Sequence, residues 1–593
     1  MTAAVGLPVR LGVGALVAIG VGAAFLPIVF NDWVFYDDPS NFLENLDFRG
    51  LSPTHLLWAL TTLHMGVYQP LAWILFEVEY AVFGLLAWGY HLVSLVLHLL
   101  NALVLARLIA VVVDRLPSSV GRRPGVSFYA AATSALVFAV HPLRVEVVAW
   151  ASCQPYLPSA LFAMTSTLAY LRSDSPARIG RGGWLAVSWL LYFASLACKA
   201  IALPLPIVFL ILDAYPLGRF SRPGRSWRAA IVEKLPFAAI GLLFLTAAVV
   251  GKYVAYPVEA TGGVGTPRRL LEAGYSAWFY VEKTGRPSSL AALYESPDAT
   301  SDGSRGLVIA VAAVIAITTF AIVVRRRAPG FLAAWAAYLT LLAPVSGFFR
   351  SGFWITADRY AYLSTMPLYV ALAYGLTRLW SEPGPGFSKF VARAAPAVVV
   401  VALVAASWRQ CRTWRDSEAM MAQAIRAGTI SRARHLTAIG AIREQQRRPA
   451  EAESCYREAV RIDPGFPEAN YGLGILVAKA RPDEGLRLLE RSLAEDPKSP
   501  RAHMAIGMVL VDQNRFVEAA GHFESALRLY PYYIEARFNL AYTLDRQGKR
   551  EEAATEYERV LRSDPLNFRA QRNLTILLEE MQRNPSGVAL PGS

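Results

Sequence analysis

Two adjacent aspartates, Asp37 and Asp38, sit in the stretch Asn31-Asp-Trp-Val-Phe-Tyr-Asp-Asp-Pro-Ser40, just past a long apolar run. A carboxylate at a membrane surface can take a proton from a hydroxyl or hold a cation. Neighbouring side chains point in different directions, so only one of the pair is expected to act; the alternative is a solvated cap on the next helix. His141, Arg144 and Glu146 fall within six residues at the end of another apolar run. Charges there are costly unless paired or facing a polar cavity. They read either as pocket-shaping groups or as a satisfied structural set, Arg144 with Glu146 or with a neighbouring helix. Lys199 stands between two apolar helices, where it either holds a phosphate or snorkels to the interface. In Phe348-Phe-Arg-Ser-Gly-Phe-Trp-Ile-Thr-Ala-Asp-Arg-Tyr360, Arg350 and Arg359 offer the paired donors that suit a lipid phosphate. Otherwise they anchor at the interface with Asp358 as partner. His91 and His98 share a face with Asn101, which favours interhelical hydrogen bonds over metal binding. The four cysteines are scattered, and there is no P-loop, no G-x-G-x-x-G after a strand and no H-E-x-x-H. No metal ligand set and no nucleotide chemistry are therefore argued; a divalent metal is compatible with the acidic pair but not required.

The elements that must hold these groups are apolar helices. The chain has 593 residues, 54% of them hydrophobic, against roughly 45–50% in soluble proteins. Residues 1–408 hold nearly all the long apolar runs. Runs of about 20 apolar residues cross a bilayer, and they place spans near 8–30, 88–112, 127–147, 156–171, 184–198, 200–215, 231–251, 306–324, 330–345, 360–379 and 395–409, about eleven in all. Pro8–Phe30 has no cleavage site after it and is expected to remain as an anchor. The net charge of +13 does not point to nucleic acid, because the basic residues cluster in short loops between the spans. Alternate loops carry them: Arg115, Arg122 and Arg123; Arg172, Arg178 and Arg181; Arg219, Arg222, Arg225 and Arg228; Arg325, Arg326 and Arg327; Lys389 and Arg393. The Lys/Arg bias makes these loops cytoplasmic, with the N-terminus inside and the C-terminal block outside. Two large outer loops follow, at 31–87 and 252–305. The first is expected to hold an amphipathic helix at Ser52–Leu63 and an interfacial stretch at Leu71–Phe83, interrupted by Glu77 and Glu79.

After a linking helix at 410–432, a 34-residue period emerges over 433–581. Pro464, Pro497, Pro531 and Pro565 mark it. Small residues recur where paired helices must touch: Gly440, Gly474, Gly507 and Ala541, then Ala452, Gly485, Ala519 and Ala553. This is the tetratricopeptide repeat (TPR) pattern, four repeats and a closing helix. Such arrays expose a concave groove, and Asn470 and Asn539 lie at positions that either face it or are ordinary solvated amides. A disordered tail is expected at 582–593. The fold class is therefore all-α, a polytopic membrane helix bundle at 1–409 followed by a TPR solenoid.

Several motifs occur in a set order: Tyr36-Asp-Asp38, Gly89-Tyr-His…His98, His141-Pro…Glu146-Val-Val-Ala, Cys198-Lys199, Ala357-Asp-Arg-Tyr-Ala-Tyr-Leu363, Trp414-Arg-Asp-Ser417, then the repeats. The ordered set resembles the transmembrane and TPR-containing protein O-mannosyltransferases and their bacterial relatives. The resemblance implies a GT-C glycosyltransferase taking a sugar from a polyprenyl-phosphate donor on the non-cytoplasmic face. It puts the general base on Asp37 or Asp38, pocket-shaping roles on His141, Pro142, Glu146 and Asp358, and donor-phosphate binding on Lys199, Arg350 and Arg359. Many relatives have Glu after the lysine; Ala200 stands here, which puts a paired-charge role in doubt. The expected partners are the bilayer, the lipid-linked donor and an acceptor polypeptide in the TPR groove. Compact length and an Ala/Arg-rich composition suggest a bacterial inner membrane with periplasmic repeats. The alternative is a non-catalytic membrane-anchored TPR scaffold for envelope complexes; a transporter is weaker, since no matching broken helices are visible.

Overall fold

The computed structural model describes residues 6–34, 36–116, 125–174, 180–221, 227–255, 266–294, 303–348, 355–381 and 386–583. The regular elements among these residues are all helices, with no strand. Two compact units emerge, one running to Ile430 and the other beginning at Ser431.

In the first unit, five helical segments are long and apolar enough to cross a membrane: Leu7–Phe30, Ala87–Val113, Trp227–Tyr253, Arg305–Arg326 and Ala394–Trp414. Val126–Ala139 with Pro142–Ala149 makes a sixth if the bent pair is one span. Against the expected eleven, helices such as Leu205–Ala214 and Pro329–Leu342 are too short to cross alone. At 1.5 Å per residue, a 14-residue helix covers about 21 Å of a 30 Å core. Side chains such as Leu242, Ile309 and Val401 are exposed on the long helices; so much outward apolar surface needs a lipid solvent. The chain is a multi-pass membrane protein.

The 61° bend of the pair falls at His141-Pro142. A residue before proline is pushed out of the helical region, and His141 is extended there (φ −79°, ψ 134°). Its Nδ1 accepts the Leu143 N–H at 3.2 Å, capping the new turn. Helices Tyr156–Arg172 and Arg181–Cys198 are fastened by serines seven apart. Ser166 and Ser188 each donate to the other's carbonyl, at 2.8 and 2.9 Å; Ser195 donates to the Ser159 carbonyl at 2.8 Å. Small hydroxyl residues let helices approach closely and hydrogen-bond across the seam. Beyond the other end of this hairpin, Tyr170 and Arg219 converge on the buried Asp213, at 2.6 and 2.9 Å, with Lys234 at 2.5 Å. The loop 31–87 contains the helix Pro53–Thr61, capped by Ser52, and the helix Pro70–Phe83. Both Glu77 and Glu79 are buried in the latter.

The second unit contains four helix pairs: Arg432–Gln445 with Pro449–Ile462, Pro467–Ala478 with Pro482–Glu495, Pro500–Asp512 with Phe516–Leu529, and Ile534–Arg546 with Arg550–Ser563, closed by Phe568–Arg583. The small residues do what their spacing required. A Cβ on Gly507 would lie 2.6 Å from the Phe523 ring, and one on Gly440 2.6 Å from Tyr456. The expected tail at 582–593 lies outside the described residues from 584 onward.

Candidate active site

The two aspartates divide their work. Asp38 is fully buried. Its Oδ2 accepts the Val34 N–H at 2.8 Å, and its Oδ1 accepts the Ser152 N–H at 3.1 Å and hydroxyl at 2.5 Å. Asn41 adds a bond to the Ser152 hydroxyl at 3.0 Å. Together these pin the acidic loop to the turn Ala151–Cys153. Burial pushes the Asp38 carboxyl up to about 7, against the lowering effect of those donors. Asp37, half-buried, has no side-chain hydrogen bond among the described residues. Burial raises its pKa above the ordinary value; the charges of Arg359 and then Lys199 pull it back down.

Arg359 is held from the other side. Glu146, delivered by the turn of helix after the His141-Pro142 bend, accepts the Arg359 main-chain N–H at 2.9 Å and pairs with its guanidinium. The guanidinium also lies 5.6 Å from the Trp150 ring, which stacks on Trp414 at 5.7 Å and meets Tyr36 at 5.7 Å. The Trp414-Arg-Asp-Ser417 motif thus supplies part of the floor, and Asp416 caps the following helix by accepting the Ala419 N–H at 2.7 Å. Asp358 is buried and accepts the Tyr294 hydroxyl at 2.8 Å. Burial first, and Glu146 second, hold its pKa well above the carboxylate range. Lys199 donates to Gln69 Oε1 at 3.1 Å and faces the Tyr156 ring at 5.6 Å. Burial is the main cause that pushes its pKa down to about 8. Its carbonyl accepts the Ser159 hydroxyl at 2.9 Å, so the serine seam also fixes the backbone under this cation.

The structure decides two pairings that the sequence left open, Arg144 taking the neighbouring-helix alternative. Arg144 does not meet Glu146: it donates to the Ala361 carbonyl at 2.7 Å and Thr365 Oγ1 at 2.9 Å, with Phe138 4.2 Å beneath it. Arg359 takes Glu146, not Asp358, as its partner. His141 donates from Nε2 to the Thr284 carbonyl at 3.1 Å, the tautomer that its capping role at Nδ1 requires. His98 and Asn101 make the interhelical bonds expected of them, both meeting the Tyr362 hydroxyl, at 2.7 and 3.1 Å. Arg350 lies outside the described residues. In the repeats, Asn470 is buried and donates to the Pro464 and Phe466 carbonyls, each at 2.9 Å. Asn539 lines a concavity of about 330 Å³ with Phe538, Tyr542, Arg569 and Arg572. Gln69, Ser152, Trp150 and Tyr294 were not singled out from the sequence. Nothing in their local spacing marks them, because each acts through a partner more than 50 residues away.

The fold and this site define a polytopic all-α membrane protein with a charged cluster beside its bent helix pair and a helical repeat array at its C-terminus. Family models of the tetratricopeptide repeat match residues 433–466, 475–534 and 510–575. The chain is 27% identical over 205 residues to the protein O-mannosyl-transferase TMTC4 of Homo sapiens, covering 32% of this chain and 27% of that protein. It is 22% identical over 466 residues to the protein O-mannosyl-transferase Tmtc3 of Drosophila melanogaster, covering 69% of this chain and 50% of that protein. The matches thus span between about a quarter and half of these relatives' own length. Among solved structures, the crystal structure of MamA is 20% identical, with a TM-score of 0.24, over 25% of this chain and 88% of that one. The chain's curated relatives are TMTC protein O-mannosyl-transferases, and its C-terminal block is a TPR array.

Proposed function

We propose that the chain is a GT-C type membrane glycosyltransferase. It moves a sugar from a polyprenyl-phosphate carrier to a Ser or Thr hydroxyl of a protein, or to a glycan, on the non-cytoplasmic face. In this reading it resides in a bacterial inner membrane with its N-terminus in the cytoplasm and its repeats in the periplasm. The observation that carries the proposal is the separation of Asp37 from Asp38: one carboxylate is saturated and structural, and its neighbour has no hydrogen bond among the described residues and feels the charges of Arg359 and Lys199.

The chemistry is a single displacement. The acceptor oxygen attacks the anomeric carbon, its proton passes to Asp37, and the bond from the anomeric carbon to the phosphate oxygen breaks. Polyprenyl phosphate leaves, and the sugar inverts. Lys199 and Arg359 steady the charge that gathers on the leaving phosphate; Arg350 belongs to the same proposed set. Glu146 orients Arg359, and His141 shapes the bend that presents Glu146. The groove bearing Asn539 docks the acceptor polypeptide. A bare scaffold would have no use for a buried, partnered charge cluster, which is expensive to hold in an apolar bundle.

The test is to incubate purified protein with polyprenyl-phosphate sugars and a Ser/Thr-containing polypeptide. Acceptor-dependent release of polyprenyl phosphate, matched by sugar on the polypeptide, is the expected outcome. Absence of release with every sugar tried would favour the scaffold.

A further inference from the structure

A depression of about 410 Å³ on the repeat array is lined by four arginines. Arg457 and Arg461 come from helix Pro449–Ile462, and Arg487 and Arg491 from helix Pro482–Glu495. Both helices are second members of their pairs, whereas Asn539 lies on a first helix. Each arginine pair is spaced by four, so its members share one helical face. Leu488, itself buried, helps floor the depression, and Glu484 is the one acid among the lining residues.

The four cations are not equivalent. Arg457 is committed to Glu453 at 3.0 Å and Glu484 at 2.8 Å, and Arg461 to Glu458 at 2.6 Å. Arg487 and Arg491 have no ion pair or hydrogen bond among the described residues. Two guanidinium groups, with five N–H donors each, therefore share a helical face over an apolar floor, and the one carboxylate in the lining, Glu484, is taken by Arg457 and Arg481. Like charges four apart on a helix repel, so an anion that bound both would relieve the repulsion. Phosphate matches the guanidinium fork with two parallel hydrogen bonds.

We propose that this depression binds a phosphate group, carried on an anionic lipid headgroup or free in solution, with Arg487 and Arg491 as its donors. The site is separate from the proposed donor-phosphate site at Lys199 and Arg359.

Hydrogen exchange on the full chain in neutral detergent tests this with a local readout. Inorganic phosphate, short-chain phosphatidic acid, the matching diacylglycerol and a polyglutamate peptide are added in turn. Peptides spanning 482–495 are expected to exchange several-fold more slowly with a phosphate-bearing ligand and unchanged with diacylglycerol. Phosphatidic acid acting where inorganic phosphate does not makes a headgroup the source; equal protection makes it free phosphate. The double variant R487Q/R491Q should abolish the protection, while R562Q, an exposed arginine on another helix, should keep it. Both sites in R487Q/R491Q are exposed, so an unchanged thermal midpoint reports retained folding. Protection by polyglutamate equal to that by phosphate, no protection by either phosphate ligand, or protection surviving in R487Q/R491Q would overturn the proposal.

Discussion

Asp37 and Asp38 are chemically identical and adjacent, yet their surroundings pull them apart. Three donors converge on Asp38, and Asp38→Ala would leave them buried without an acceptor. Each such loss costs about 1–3 kcal/mol, so a lowered thermal midpoint is expected, corresponding to on the order of 3 kcal/mol. Asp37→Ala removes no side-chain hydrogen bond among the described residues and should leave the midpoint within about 0.5 kcal/mol; thermal unfolding in detergent separates the two. The same contrast sets the pH profile. The basic form of Asp37 is gained as pH rises through a pKa held above its usual 3.8. The charged form of Lys199 is lost as pH rises through about 8. A bell-shaped rate profile follows, with its falling limb near pH 8. Lys199→Arg, whose charge persists above pH 12, should move that limb upward; an unmoved limb would rule out Lys199 as its origin. The acidic pair was legible in the sequence because two carboxylates after an apolar run are conspicuous. Which one is free was not legible, since the answer lies in Ser152, 114 residues further on.

Helix breaks position these residues. His141-Pro142 reads from the sequence as a break, and the physics of the X-Pro bond makes it one. The short helix that follows turns Glu146 toward Arg359, a pairing of partners 213 positions apart that no local pattern announces. The repeats were the more readable part. Their period forces small residues against large ones at fixed intervals, and Gly507 sits against Phe523 as that rule requires. Gly507→Leu should destabilise the array by about 1–3 kcal/mol through overpacking, read as an earlier unfolding transition of the repeats by limited proteolysis. The span count was less readable. Length and composition single out five or six segments, and apolar helices such as Leu205–Ala214 and Pro329–Leu342 fall below that test. The basic loops were read for their charge alone, but Arg219 is also a structural member of the Asp213 cluster, so part of the positive bias is neutralised within the fold.

For the molecule as a whole, function depends on which side of the membrane each unit occupies. The proposal requires the acidic loop and the repeats to face the non-cytoplasmic side together. A cysteine introduced near the C-terminus of intact cells' protein should react with a membrane-impermeant maleimide added from outside the cytoplasmic membrane, and one introduced beside Arg326 should not; reversed labelling would place the repeats in the cytoplasm. Apolar runs and the repeat period made the membrane block and the TPR array legible, whereas the sidedness rests on the charge bias alone and awaits this labelling. The proposed chemistry itself is tested most directly by Asp37→Asn. With a polyprenyl-phosphate sugar that supports turnover, acceptor-dependent release of polyprenyl phosphate should fall by about 10²–10⁴-fold, the usual contribution of a general base, while the thermal midpoint stays at the wild-type value. Release at the wild-type rate from a folded Asp37→Asn protein would contradict the account.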